Sequence, residues 1–328
     1  MSTRFAATRL ALPQFAGSGY WVRRHVRTLL AWTLFALLFV LSTTLSDTFR
    51  SPDVVLETFK GTTFVGMAAA AEFFVVVGGG IDLSIGSVAT LSGMVAAAIM
   101  GGRNANILVA ILASLGIGLI VGTINGLLVN WVRISPFIAT FGMLYILQGV
   151  AYTYSVNPIG QAAPGFYSIY VSTVAGVPIL LLTMGVFWVV CWYVARQTAF
   201  GKHLYAVGGD REAARLAGVR TSRVSFASYV LCSVIAAAAG LLELTQSYVG
   251  SPSLGATLLL TTITAVVIGG VSLFGGEGSV IGVLGGALVL GFLSEFFVSV
   301  QVDAFYQELI EGLIILALLG IYRQRLKT

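Results

Sequence analysis

The chain has 328 residues, of which 57% are hydrophobic and only 9% charged, and it carries a net charge of +5. Soluble domains average about 25% charged residues, so this composition excludes a water-soluble enzyme or binding module. A spanning helix takes about 20 apolar residues, which leaves room for roughly ten of them. Nucleic acid is a conceivable partner for the excess of base, and only the position of the charges along the chain decides that.

In chain order, residues 1–28 contain Arg4, Arg9, Arg23, Arg24 and Arg27 and read as a cytoplasmic basic tail. The next apolar run is long for a signal-peptide core and lacks a small-residue cleavage site, so Leu29 to Leu45 reads as a retained first helix. A polar connection with Asp47, Arg50, Asp53, Glu57 and Lys60 precedes a second helix, Thr62 to Val77, which carries Glu72 within its apolar face. A third helix runs to Met100 and a fourth from Ile107 to Asn130. In the fourth, Gly118, Gly122 and Gly126 recur every four residues, a ladder on one face that admits a closely packed neighbour.

Ser135-Pro136-Phe137 opens the fifth helix, proline suiting a first turn. Residues 155–176 show no strong periodicity and read as the longest loop on their side. The remaining expected helices are Pro178 to Ala195, Val224 to Gln246, Leu258 to Gly269, Val280 to Val300 and Gln307 to Tyr322, with Arg323, Arg325 and Lys327 in a closing tail, 323–328. The expected fold is therefore all-α, a single transmembrane domain of about ten helices over 29–322, interrupted by one long charged loop at 196–223.

With the N-terminus in the cytoplasm, Arg50, Lys60 and Arg103 alone among the 18 Lys and Arg fall outside. Such an asymmetry orients a membrane protein with both termini inside, and it accounts for the basic charge without nucleic acid. Cys191 and Cys232 lie in apolar segments and His25 and His203 stand apart in polar ones, so neither a disulfide framework nor a metal site is indicated. No histidine lies in a span and no nucleophile-base pair is visible, which speaks against a membrane enzyme.

Two glycine-rich breaks organise the chain. Gly78-Gly79-Gly80-Ile81-Asp82-Leu83-Ser84-Ile85-Gly86 is echoed about 190 residues later by Gly269-Gly270-Val271-Ser272-Leu273-Phe274-Gly275-Gly276-Glu277-Gly278. Both fall at cytoplasmic helix ends in this topology, which suggests a parallel internal repeat. Glycine lets backbone bend or approach other backbone closely. Irregular backbone at membrane depth needs protein or a water-filled cavity around it, and paired breaks in two halves point to a transport pathway. Tight interfacial turns, with Asp82 as a helix cap, fit the same residues.

The charged loop holds Asp210, good helix formers behind it and Gly218 as a stop, which predicts a short cytoplasmic helix. A positive anchor against anionic lipid and a docking element for a cytoplasmic partner both fit it.

With these residues assembled, the chain resembles the membrane permeases of sugar-importing ATP-binding-cassette transporters, the group of the ribose, arabinose, xylose and galactose systems. The resemblance rests on Gly79 to Ser87, on Pro136-Phe137-Ile138-Ala139-Thr140, on the loop from Phe200 to Gly218, and on Ala265 to Gly270 with Gly275-Gly276-Glu277-Gly278-Ser279. It implies a transport subunit in the bacterial inner membrane that pairs with a second copy or a paralogue. It also implies cytoplasmic ATP-binding subunits, an extracytoplasmic sugar-binding protein and surrounding lipid.

The family's coupling helix maps onto Gly209 to Gly218, so Gly209, Asp210, Arg211, Ala213, Ala214, Arg215 and Gly218 are expected at the ATPase contact. No phosphate-binding Gly-x-x-x-x-Gly-Lys-Ser/Thr motif is present. The chain is thus expected to carry no cofactor, with ATP and magnesium held by the partner. Gly79, Gly80, Gly86, Gly269, Gly270, Gly275 and Gly276 are expected to serve as hinges or close-packing points.

A pathway for neutral polyols wants hydroxyl, amide, carboxylate and aromatic groups. The candidates are Asp82, Ser84, Asn125, Phe137, Thr140, Gln148 and Glu72. Two departures from the family pattern stand out. Thr261-Thr262-Ile263-Thr264 replaces an expected acidic residue followed by Ala-Ile, and Glu72 stands where an uncharged residue is expected. An importer of a nucleoside or branched-chain amino acid, and a stand-alone transporter in which Glu72, Asp82 or Glu295 carries protons, are the rival readings.

Overall fold

A computed structural model of the chain describes residues 17–256, 258–303, 305, 306, 309, 310, 312 and 313, with side chains from residue 26 on. Its elements are helices α1 (Gly17–Leu45), α2 (Pro52–Val77), α3 (Ile85–Met100), α4 (Ile107–Asn130), α5 (Pro136–Tyr154) and α6 (Pro164–Val171). A two-stranded hairpin follows, β1 (Thr173–Val174) and β2 (Val177–Pro178), then α7 (Ile179–Gln197), α8 (Ala199–Gly209), α9 (Arg211–Leu216), α10 (Thr221–Ser247), α11 (Leu258–Ile268) and α12 (Val280–Ser299). Seven of these are long and apolar enough to cross a bilayer, and α3 and α11 are shorter apolar helices. Nine of the ten expected spans thus have a counterpart among the described residues, two of them short. The tenth, 307–322, and the tail 323–328 lie largely outside the described residues, of which 309, 310, 312 and 313 are helical.

α2 is the central helix. From Thr62 to Val77 every residue except Val65 is buried, as expected for a helix apolar on all sides. It packs against α10, α11 and α12. Its start corrects the expected boundary by ten residues. The polar residues that suggested a loop belong to helical turns, because Lys60 Nζ donates to Glu57 Oε1 at 2.7 Å one turn away and the Tyr170 hydroxyl of α6 donates to Glu57 Oε2 at 2.6 Å. The basic tail is corrected likewise, since α1 begins by Gly17 and takes Arg23, Arg24 and Arg27 into its first turns. Arginine is a good helix former. The expected loop 155–176 contains α6 and the first strand of the hairpin, and 196–223 holds two helices where one was expected.

The glycine ladder of α4 meets α10. A Cβ at Gly118 would stand 2.5 Å from the Ser233 carbonyl oxygen, and at Gly122 2.7 Å from both the Tyr229 carbonyl oxygen and Val230 Cα. The two backbones therefore touch. Gly122→Leu is expected to destabilise the protein by about 3 kcal/mol or more, because neither backbone can withdraw from an overpacked contact. A thermal-unfolding midpoint unchanged in detergent would contradict the packing.

α11 is short because the chain reaches it along α3. Gly250 bridges to Ile159 and lies against Met94, and five residues later Gly255 packs on Gly86, donating its N–H to Thr90 Oγ1 at 2.9 Å. The segment between α10 and α11 thus runs along α3 before α11 begins, leaving α11 only about 16 Å long at 1.5 Å per residue.

Candidate functional site

The two glycine breaks come together at one end of the bundle and meet the end of α8. Gly276 donates its N–H to the carbonyl oxygen of Val77, the last residue of α2, at 2.9 Å. A Cβ on Gly208 would lie 1.8 Å from that same oxygen and 2.6 Å from Gly276 N, and one on Gly275 would lie 2.7 Å from the Gly208 oxygen and 2.9 Å from Gly79 Cα. Three backbone segments are packed where no side chain fits. Gly79, Gly275 and Gly276 also take positive φ (80°, 89° and 73°), a region that glycine enters without strain. The Tyr205 hydroxyl of α8 donates to the Gly278 carbonyl at 2.8 Å, and burial pushes its phenol above the ordinary tyrosine range. Arg27 of α1 reaches the same break through an ion pair with Glu277.

α9 is built as a capped turn. Asp210 Oδ1 accepts from the N–H groups of Glu212 and Ala213, both at 2.9 Å, which satisfies donors that a helix start leaves free. Gly218 ends the turn at φ +86°. Arg211 Nη2 donates to Asn130 Oδ1 at 3.2 Å, tying α9 to the end of α4. Hydrogen bonds from Arg215 hold the Glu212 carboxyl below the usual carboxylate range. Ala213, Arg215 and Leu216 face outward, Leu216 being 75% exposed, whereas Ala214 is buried within the chain.

Further into the bundle lies a second polar group, wholly enclosed. Asp82 Oδ1 accepts from Ser84 N at 2.9 Å and from Ser84 Oγ at 2.6 Å, an Asx-type turn that carries the first break into α3. Asn125 Nδ2 of α4 donates to Ser84 Oγ at 2.9 Å, and Leu83 N donates to Thr140 Oγ1 of α5 at 3.1 Å. Asp82 N points to Glu72 Oε1 at 3.4 Å, and the Tyr229 hydroxyl of α10 lies at the same distance from the Ile81 carbonyl. Glu72, Ser84, Asn125 and Thr140 are fully buried and Asp82 is 3% exposed. One oxygen each on Glu72, Asp82 and Asn125 has no hydrogen-bond partner among the described residues. The first break is thereby fastened to four helices.

Five of the seven sequence candidates thus fall in one cluster: Glu72, Asp82, Ser84, Asn125 and Thr140. Phe137 does not join them. It lies on the outer face of α5, 54% exposed and stacked on Phe141 at 5.6 Å between ring centres. Gln148 is half-buried two turns beyond Thr140, lining a cavity between α3 and α5. Of the expected hinge glycines, Gly79, Gly275 and Gly276 share the joint with Gly208. Gly80 sits under the Tyr229 hydroxyl, Gly86 on Gly255, Gly269 on Gly282 and Gly270 on Arg27. Gly208, the centre of the joint, was missed from sequence. Its signal was a further glycine pair, Gly208-Gly209, hidden inside a charged loop.

The family model described as the branched-chain amino acid transport system / permease component matches residues 55–319. That stretch contains both breaks, the joint and the buried cluster. The chain belongs to this family of permeases. The ribose import permease protein of Escherichia coli K12 is 34% identical over 291 residues, covering 87% of this permease and 90% of that protein. Its counterpart in Bacillus subtilis is 33% identical, covering 86% and 88%. The fructose import permease protein of Rhizobium meliloti is 36% identical, covering 78% and 74%. No solved structure matches the chain significantly. This permease is accordingly an integral membrane transport subunit of the ATP-binding-cassette class.

Proposed function

We propose that this permease is the membrane-spanning subunit of an importer that carries a monosaccharide or related polyol across the bacterial inner membrane. The sugar named for each relative above supports the substrate class, and the contact of Gly208 with both glycine breaks carries the mechanism. α8 and α9 form the only helical pair of the charged segment among the described residues; α9 packs on α8, and the end of α8 at Gly208 is seated on the backbone of Val77, Gly79, Gly275 and Gly276. A cytoplasmic subunit that displaces α9 therefore moves both breaks together. The Asp82 turn and the α5 helix fastened to Leu83 move with the first of them. No covalent chemistry falls to this chain; a cytoplasmic ATPase binds magnesium and ATP and supplies the work.

In this reading Ala213, Arg215 and Leu216 present the docking face, and Asp210, Arg211, Ala214 and Gly218 shape and seat α9. Glu72, Asp82, Ser84, Asn125 and Thr140 hold the break and do not touch substrate. The units α2-break-α3 and α11-break-α12 are read as a parallel repeat, a reading supported by the contact of both breaks with Gly208. A second copy or a paralogue completes the pathway, and a binding protein delivers sugar from outside. Both termini are cytoplasmic.

The test is uptake of labelled D-ribose, D-fructose and L-arabinose, with L-leucine beside them, into cells bearing the complete transporter. Sugar uptake that vanadate stops and a proton ionophore does not, that survives Glu72→Gln, and that Ala213→Glu or Leu216→Glu reduces at least tenfold is the expected outcome. Uptake of leucine alone overturns the substrate class. Uptake that follows the proton gradient and is lost in Glu72→Gln overturns the mechanism.

A further inference from the structure

A cavity of about 140 Å³ lies between α3, α5 and the segment that descends into α11, and its wall includes Leu83, Gly86, Ser87, Thr90, Gln148 and Gly255. Drug-sized ligands occupy pockets of about 300 Å³ and more, so this one suits a small solute. Its polar groups divide in two. Thr90 is committed, donating to the Gly86 carbonyl at 2.9 Å and accepting from Gly255 N at 2.9 Å. Ser87 and Gln148 are half-buried, and neither side chain has a hydrogen-bond partner among the described residues.

Among the described residues, no charged side chain lines the cavity. An amino acid entering it would leave an ammonium and a carboxylate without counter-charges, at a cost of several kcal/mol if water is excluded. A sugar carries neither. The serine hydroxyl can donate and accept, and the glutamine amide offers two donors and an acceptor, a set that matches the mixed donor and acceptor character of vicinal hydroxyls.

We infer that this cavity is a polyol subsite of the transport pathway, in which Ser87 and Gln148 hydrogen-bond the hydroxyls of the substrate. The inference rests on the importer reading and deepens it. It also connects the substrate to the joint, because the cavity and the joint lie at opposite ends of the same break. Leu83 and Gly86 belong to the wall, Gly79 touches Gly275 and Gly208, and the intervening Asp82 turn is fastened to α4 and α5. A displacement of α8 shifts Leu83 and Gly86 against Gln148, which changes the fit of the subsite without any new contact to the substrate.

The experiment places a thiol in the cavity of the full-length chain reconstituted in liposomes. Cys191 and Cys232 are buried, so Ser87→Cys supplies the one cysteine a small methanethiosulfonate reagent is expected to reach. Reaction at Cys, slowed several-fold by D-ribose or D-fructose and unaffected by L-leucine, is the expected result, with the protection lost when Gln148→Ala is added. Gln148→Cys provides a second position should the first variant fold poorly. A thiol that does not react, or whose reaction no sugar slows while the wild type still imports sugar, removes the subsite and leaves the importer standing. Protection by L-leucine and by no sugar removes both.

Discussion

Gly208→Ala is expected to abolish transport, while Gly209→Ala, one residue away in the same helix end, leaves it nearly unchanged. A Cβ at position 208 would stand 1.8 Å from the Val77 oxygen and 2.6 Å from Gly276 N, all of it backbone, whereas a Cβ at 209 would find its nearest neighbour at an ordinary 3.9 Å. Relief at 208 requires separating α8 from both breaks and breaking the Gly276 to Val77 hydrogen bond. Overpacking of a rigid contact costs about 1–3 kcal/mol and occasionally more, and the absence of any movable side chain puts this site at the upper end. At about 1.4 kcal/mol per tenfold, uptake falls on the order of a hundredfold. The check is sugar uptake normalised to permease in the membrane, with both variants side by side. Equal uptake by the two would mean that α8 is not seated on the breaks.

Asp82→Ala is expected to be the most damaging substitution in the buried cluster, and Asp82→Asn much milder. Alanine removes the acceptor of both the Ser84 N–H and the Ser84 hydroxyl in a place no water reaches from outside. Each orphaned buried donor costs about 1–3 kcal/mol, so the loss is about 2–6 kcal/mol, comparable to the whole stability margin of many proteins. Asparagine keeps one oxygen to accept both bonds and gives up a carboxylate oxygen that has no hydrogen-bond partner among the described residues. Thermal unfolding in detergent, with hydrogen exchange followed over residues 80–88, checks both the size and the place of the effect. A midpoint for Asp82→Ala within a degree of wild type would show that the turn before α3 does not depend on this side chain.

The difference between these two variants also separates two roles for a membrane carboxylate. A proton carrier fails when its charge is removed, and an acceptor in an Asx turn fails only when its oxygen is. Asp82 has the surroundings of the second.

The sequence by itself determined what depends on composition and local spacing. Charged residues at 9% and apolar runs of bilayer length require spanning helices, because lipid offers no partner for backbone groups outside one. The spacing of Gly118, Gly122 and Gly126 fixes a smooth helical face, and the structure lays α10 against it. Asp210 before good helix formers and Gly218 after them define α9 through bonds that span only a few residues. Polar residues misled where they were paired: Glu57 and Lys60 read as a loop until their bond to each other and to Tyr170, 113 residues on, placed them in α2.

Tertiary structure alone decided which glycines meet. Nothing local distinguishes Gly208 from Gly209, since both end the same helix, and only the arrival of Val77 and Gly276 from distant parts of the chain makes one of them irreplaceable. The same holds for Asp82 and Gln148, polar residues of similar promise in the sequence. One is enclosed by α2, α4, α5 and α10 and spends its oxygen on its own backbone, while the other is left beside open space with its amide unbound. Contact between segments far apart in the chain sets that difference, and no property of either residue or of its near neighbours contains it.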